Sequence, residues 1–249
     1  MELLFGFHPV REALRAGRVP EAVWVVAGAK GLGEIVALAR ASGVQARTVT
    51  RQELGDLCRS SYHQNVAARF PDRTLHAPDH PLAVAEQRGQ QPLLLALDHL
   101  QDPQNLGSLL RTAEAVGVHG VVLPKDRSAP VNTTVARASS GAVEHLALCD
   151  VTNLMRALAW YKERGVWVVG LDPAGETRYD ALAYDWPVAV VVGSEEKGLR
   201  PLIRRACDYL VHIPMTGKVA SLNAAVAGSL LLYHIWWTRE HASARGGGK

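Results

Sequence analysis

VVVGSEEKGLRPLIRRACDYLVHIPMTGKVASLNAAVAGSLLL, residues 190–232, contains two apolar runs that each end in a glycine- and charge-rich loop, and the second loop opens into a long apolar helix. Strands that empty into such loops commonly build a ligand cradle. The rhythm extends upstream. Apolar runs LLLAL (93–97), GVVL (120–123), VWVVGL (166–171), VAVVV (188–192) and LVHI (210–213) alternate with helical patterns over 103–117, 153–164, 199–206 and 221–237. Runs with no polar face, separated by helices, predict a parallel sheet covered on both sides. The loops DHLQDPQN, PKDRSAP, DPAGE, GSEEKG and PMTGK then emerge along its carboxyl edge, where open parallel sheets bind ligands.

Residues 1–70 read as a separate, small α/β unit. VREALRAG forms a helix, VWVV (23–26) a strand, 33–41 a helix, QARTVT a strand, RQELGDLC a helix and HQNVAARF (63–70) a closing strand. Residues 71–91 hold Pro71, Pro78 and Pro81 with one short helical pattern at 82–88, and read as a linker. The second domain is then 92–245. AGAKGLGEI (27–35) places glycines between a strand and a helix, but its spacing fits neither G-x-G-x-x-G nor G-x-x-x-x-G-K-[ST], so it reads as a plain turn.

Composition narrows the class. With 249 residues, 48% of them hydrophobic, the chain can bury a sizeable core. The net charge of +3 is carried by residues 1–70, where nine Lys/Arg face six Asp/Glu. Such a face suits a polyanion such as RNA, although so small an excess by itself reads as a solvated surface. Cys58, Cys149 and Cys207 form no C-x-x-C pair, which argues against a disulfide framework or a zinc ribbon; a reducing compartment and no metal site are expected. MELLFGFHPVRE lacks the pattern of a secretory signal, and the most apolar run (222–237) is interrupted by Asn223, Ser229, Tyr233 and His234, so a cytoplasmic protein is expected. The tail ARGGGK reads as disordered.

Three carboxyl-edge loops carry the chemistry. In DHLQDPQNLGSLLRTAEAVG (98–117), Asp102 and Pro103 start a helix; Leu106, Leu109, Leu110, Ala113 and Val116 form its apolar stripe, and Gln104, Ser108 and Arg111 share the opposite face. Taken singly, Arg111 is a solvated helix arginine and Asn105 a cap. In VVGSEEKGLRP (191–201), Gly193 allows close backbone approach, Gly198 turns the chain, and Glu195 can meet a ligand hydroxyl, pair with a cation such as Arg111, or sit at a helix start. In HIPMTGKVASLNAAVAGSLLLY (212–233), Ser221 and Asn223 head an otherwise apolar helix, part of which can face a second subunit.

The order of these loops resembles the SpoU (TrmH-like) family of SPOUT methyltransferases. N-L-G-S-L-L-R-T-A (105–113) is similar to the family's first motif in its short form, G-x-E-x-x-G-L falls on Gly193, Glu195, Gly198 and Leu199, and I-P-M-x-G followed by S-L-N falls on 213–217 and 221–223. KDRSAPVNTTVARASSGAVEHLALCDVTNL (125–154), FGFHPVREAL and HQNVAARF extend the likeness to the bacterial enzymes that methylate a guanosine ribose 2′-hydroxyl in 23S rRNA. The chain departs from the usual pattern at Asn65, where HQN stands for HQG, and at Ala225, where the helix has SLNAAVA rather than SLNVSVA.

The resemblance implies an L30e-like RNA-binding domain over 1–70 and a SPOUT domain with a deep trefoil knot that forms a homodimer. It implies S-adenosyl-L-methionine as cofactor, held by Gly193, Ile213, Pro214, Met215 and Leu222, with Asn105, Arg111, Glu195, Ser221 and Asn223 around the transfer. A guanidinium is a poor base, so Arg111 is expected to orient ribose and phosphate. A tRNA ribose or a resistance-type rRNA site is the alternative target. A non-catalytic RNA-binding protein and a nicotinamide-dependent oxidoreductase are the rival classes; no strand here opens into the glycine fingerprint of the latter.

Overall fold

The computed structural model describes residues 1–125, 129–218 and 221–246. The middle of the expected loop PKDRSAP, residues 219 and 220 of the third loop, and the last three residues of the tail lie outside these.

The chain opens with β1 (Glu2–Phe5), α1 (Phe7–Arg15), β2 (Ala22–Val26), α2 (Gly33–Ala41), β3 (Ala46–Val49), α3 (Arg51–Cys58) and β4 (Val66–Phe70). These strands form one sheet in the order β1-β4-β2-β3, antiparallel at β1/β4 and β4/β2 and parallel at β2/β3. The local reasons are legible. Thr50 accepts from the Glu53 amide while the Glu53 carboxylate accepts from the Thr50 amide, a capping box that starts α3. Asn65 has φ +63, a left-handed conformation that favours glycine and that asparagine tolerates better than most residues. The usual glycine of HQG would meet no strain at this φ, and asparagine meets less than most other residues would.

After α4 (His80–Gln87) come β5 (Leu93–Asp98), α5 (Pro103–Ala115), β6 (Gly120–Pro124) and α6 (Thr133–Ala138), followed by a short 3-10 turn at Ala142–His145. The chain then continues through β7 (Leu148–Val151), α7 (Leu154–Lys162), β8 (Trp167–Leu171), β9 (Thr177–Arg178), β10 (Val188–Gly193), α8 (Pro201–Ala206), β11 (Tyr209–His212) and α9 (Ala224–Gly246). A second sheet runs β7-β6-β5-β10-β8-β11-β9, parallel throughout.

Every residue of the central strands β5 and β10 is buried. Leu94, Ala96, Ala189 and Val191 pack with Leu158 and Tyr161 of α7 and Ile203 of α8 on one face. On the other, α9 lies so close that a Cβ on Gly228 would stand 2.9 Å from Leu109 Cδ1 and 3.0 Å from Val192 Cγ2. Ala225, at the position where serine is usual, is also buried.

Four short elements, β1, β7, β9 and α6, were not expected from periodicity; each is too short to show a period. α9 also runs beyond 237, so the first residues of the expected disordered tail are helical, as suits the run HASAR.

Packing divides the chain into two units, Met1–Thr74 with Pro130–His145, and Leu75–Ala129 with Leu146–Lys249. This differs from the linear division at residues 71–91. Segment 130–145 joins the first unit through a buried ion network: Arg18 and Arg73 both bind Glu2 and Glu144, and the Glu144 side chain has no exposure at all. A carboxylate that deep must be paired, and its partners lie in the first unit. The expected linker is not slack either, since α4 buries Pro81 and Ala85, and Tyr161 donates to the Pro78 carbonyl at 2.7 Å.

Candidate active site

Register sets the site. In the β5/β10 pair Asp98 stands opposite Gly193, so the loops that leave these two strands start side by side. Asp98 is fully buried; its carboxylate accepts from the Arg200 amide at 2.8 Å and from Arg200 Nε at 2.6 Å, and His99 Nδ1 lies 3.0 Å away. Asp98 thus ties the far end of the 193–200 loop to the first loop. Sequence reading passed over Asp98; its one available signal was a carboxylate ending an otherwise apolar strand.

The 193–200 loop is a tight turn. Ser194 and Gly198 exchange backbone hydrogen bonds at 3.1 and 2.9 Å, and Gly198 has φ +63. A Cβ on Gly193 would stand 2.2 Å from the Gly198 carbonyl carbon and 2.4 Å from the Leu199 nitrogen, so only glycine fits there.

Three polar residues far apart in sequence meet at the rim. Asn105 Nδ2 donates to Glu195 Oε1 at 2.9 Å, and Asn223 Nδ2 donates to Asn105 Oδ1 at 2.8 Å. Asn223 Oδ1 accepts from the amides of Ala225 and Val226 and so caps α9. The amide orientations are mutually consistent, since each nitrogen donates and each oxygen accepts. Below them, Ser229 Oγ donates to Thr112 Oγ1 at 2.8 Å, which joins α9 to α5. Arg111 lies on the exposed side of α5, in the turn after Asn105.

Next to this chain lies a cavity of about 310 Å³, bounded by the ends of β8 and β10, the 193–199 loop, and residues around 213–215 and 221–227. Of the expected cofactor residues, Gly193, Ile213, Met215 and Leu222 line it, with Ser221 and Glu195 of the expected catalytic set. Pro214 is not among its lining residues, and neither are Asn105, Arg111 and Asn223, the first and last of which stand at its rim through their hydrogen bonds. Sequence reading missed Leu171, Asp172 and Pro173, although the loop DPAGE that holds two of them was placed at this edge.

The chemistry of the lining is mixed. Leu171, Val192, Leu199 and Ile213 offer an apolar wall, Glu195 and Glu196 offer carboxylates beside the ammonium of Lys197, and Asp172 is paired with Arg204 at 2.9 Å. Such a set suits a ligand with a flat apolar part, hydroxyls and a positive centre. Thiol chemistry is disfavoured throughout: burial pushes Cys58 up to about 11 and Cys149 and Cys207 up to about 12, so none is a thiolate near neutrality.

Two family models match the chain: the SpoU rRNA Methylase family over residues 92–233, and the RNA 2′-O ribose methyltransferase substrate binding family over residues 3–74. Among curated relatives, a Bacillus subtilis protein whose name places it in the TrmH family of tRNA/rRNA methyltransferases is 40% identical over 96% of this chain and 96% of its own length. An uncharacterized tRNA/rRNA methyltransferase of Mycolicibacterium vanbaalenii is 41% identical over 98% of this chain and 78% of its own. Among solved structures, the AdoMet-bound rRNA methyltransferase from Sinorhizobium meliloti superposes with TM-score 0.79 at 26% identity, covering 96% of this chain and 87% of that one. An RNA 2′-O ribose methyltransferase superposes with TM-score 0.76 at 29% identity, covering 96% and 88%.

Proposed function

This chain belongs to the SpoU rRNA methylase family of RNA 2′-O-ribose methyltransferases, and from that premise we propose that it methylates the ribose 2′-hydroxyl of a guanosine in 23S rRNA, with S-adenosyl-L-methionine as methyl donor. The observation that carries the reading is the hydrogen-bonded series Glu195–Asn105–Asn223 at the mouth of the cavity, which unites all three sequence motifs in one place. The cavity residues fit the cofactor. Gly193 lets the 193–199 loop close tightly at the cavity edge, where any side chain would strike the Gly198 and Leu199 backbone; the apolar wall takes a planar base, and Glu195 and Glu196 favour ribose hydroxyls and a sulfonium charge. When bound, S-adenosyl-L-methionine supplies a methyl group activated by its positive sulfur.

The residues have separable tasks. Gly193, Ile213, Met215 and Leu222 hold the cofactor. Asn105 and Asn223, each fixed by its neighbour, orient polar groups toward the cavity mouth. Arg111, whose planar guanidinium matches a phosphate, orients the acceptor ribose and its phosphate. Ser221 stands at the cavity wall, where its hydroxyl can meet either ligand. Orientation of this kind supplies several kcal/mol of rate.

Two further parts of the reading rest on surface features. On α9, Val226, Leu230, Tyr233 and Trp237 are each at least 44% exposed at spacings of four, three and four, an apolar stripe that we assign to a homodimer contact. No helix among the described residues is long and apolar enough to cross a membrane, in keeping with the cytoplasmic location that we assign to the protein.

Labelled-methyl incorporation into RNA from a strain lacking the gene, followed by ribose mapping, tests the assignment. One modified guanosine in 23S rRNA is expected; label confined to tRNA would shift the target, and no incorporation would reject the activity. Arg111→Ala is expected to lower turnover at least ~10²-fold while leaving cofactor affinity unchanged, and near-normal methylation by this variant would remove Arg111 from the site.

A further inference from the structure

The first unit carries a surface that the cofactor cavity does not use. Tyr62 is 72% exposed, and it does not stand alone. The Arg137 guanidinium lies 5.1 Å from the Phe5 ring centroid and 6.0 Å from that of Tyr62, so a cation delivered by segment 130–145 stands by two aromatic rings. On either side of Tyr62 in sequence, Ser61 and His63 line an open concavity with Arg51, Arg59 and Ser60; the one acidic residue in that lining is Asp56. Among the described residues, Arg51, Arg59 and Arg137 are in no salt bridge, whereas Arg18 and Arg73 of the same unit are bound to Glu2 and Glu144.

The backbone beneath this surface is held in a costly shape. Arg59, Gln64 and Asn65 have φ of 48, 49 and 63, all left-handed. Gln64 Oε1 accepts from the Phe7 amide at 2.7 Å, and His63 Nδ1 accepts from the Asn65 amide at 3.1 Å. Strain fixed by surrounding contacts clusters at ligand clamps.

We propose that Tyr62 and Arg137 form a stacking platform for an unpaired base of the RNA substrate, with Arg51 and Arg59 taking the adjacent phosphates. The proposal rests on the reading of the chain as an RNA methyltransferase and names where unpaired RNA docks on it. A base presents a flat π face that stacks on a tyrosine ring or a guanidinium plane, and its backbone brings a charge per nucleotide. An acidic peptide would use the cations and leave the ring idle. A duplex keeps its bases stacked on one another and would also leave the ring idle.

The test is equilibrium binding of the full chain to a short labelled single-stranded RNA of mixed sequence and to the same strand annealed to its complement. Tyr62→Ala is expected to weaken single-strand binding about 5- to 100-fold, with Tyr62→Phe within about twofold of the parent. Replacing Arg51 and Arg59 together by Gln is expected to reduce the steepness of the log–log salt dependence by about 1.4. Unchanged binding by Tyr62→Ala would overturn the platform, as would duplex bound more tightly than single strand. A glutamate-rich peptide bound more tightly than the single strand would overturn it in favour of an acidic protein partner. Methyl incorporation into rRNA by the parent separates the two readings. Incorporation with unchanged Tyr62→Ala binding rejects the platform alone, whereas a parent that neither methylates nor binds RNA rejects the enzyme assignment with it.

Discussion

The two edges of the seven-stranded sheet are built on opposite principles. At the carboxyl edge, partly exposed side chains from three loops hold one another: Asn105 binds Glu195, and Asn223 binds Asn105. At the amino edge, polar groups are sunk into the backbone. Arg239 of α9 donates to the carbonyls of Tyr184, Gln91, Pro92 and Trp186 at 2.7 to 3.1 Å, and burial lowers its pKa to about 10. His119, which leads into β6, accepts from the Leu93 amide through Nδ1 at 3.0 Å, with Nε2 3.0 Å from Gln90 Oε1. One edge is open and can meet ligands; the other is sealed and holds the strands in register. The contrast implies that changes at the first should cost activity and changes at the second should cost stability.

Asn105→Ala is the sharpest trial of that division. It should lower turnover about 10²- to 10³-fold, worth about 3 to 4 kcal/mol of transition-state stabilisation, yet shift the urea midpoint by less than about 0.5 kcal/mol equivalent. A large loss of stability would show that the rim is structural. Arg239→Ala is the mirror experiment. It leaves several carbonyls without their charged donor and should cost about 3 to 4 kcal/mol in denaturant titration. Arg239→Lys should recover little, because one ammonium cannot reach carbonyls spread over two chain segments.

A pH titration probes the same edge without large truncation. Burial, with Arg88 and Arg239 adding to it, lowers His119 from 6.5 to about 4. The unfolded chain takes up this proton near pH 6.5 and the native chain only near 4, so the unfolded state binds more protons in between. Stability should therefore fall as pH drops from about 6.5 to about 4, by about 3 kcal/mol in all. His119→Gln should flatten that part of the profile; an unchanged slope would assign it elsewhere. Asp98→Asn bridges the two behaviours and should have the smallest effect. An oxygen remains for the Arg200 amide but the charge is gone, so about 1 to 2 kcal/mol of stability should be lost, together with some cofactor affinity, measurable by calorimetry.

Legibility followed the range of the interaction. β5 and β10 could be read as strands because each is a run of apolar residues, and α5 because Leu106, Leu109, Leu110 and Ala113 repeat at helical spacing. The three motifs, too, lie in continuous sequence. Asp98, His119 and Arg239 were not legible, because a buried polar residue is defined by partners that lie elsewhere in the chain: Arg200 for Asp98, Leu93 for His119, Tyr184 and Gln91 for Arg239. Asp172 was missed for the same reason, since nothing local tells which residue of DPAGE faces the cavity.

What the sequence determined by itself was the alternation of strands and helices and the parallel character of the second sheet, with the carboxyl edge and, through the family resemblance, Asn105, Glu195 and Asn223 as candidates for the site. These depend on local hydrophobic period and on motif spacing, which are written in order along the chain. The tertiary structure alone decided that Asp98 and Gly193 lie side by side, that three loops close into one hydrogen-bonded rim, and that residues 130–145 pack with the first unit. These depend on strand register and on where a buried Glu144 finds Arg18 and Arg73. Such choices are made by the free-energy cost of leaving polar groups unpaired, which no single stretch of sequence records.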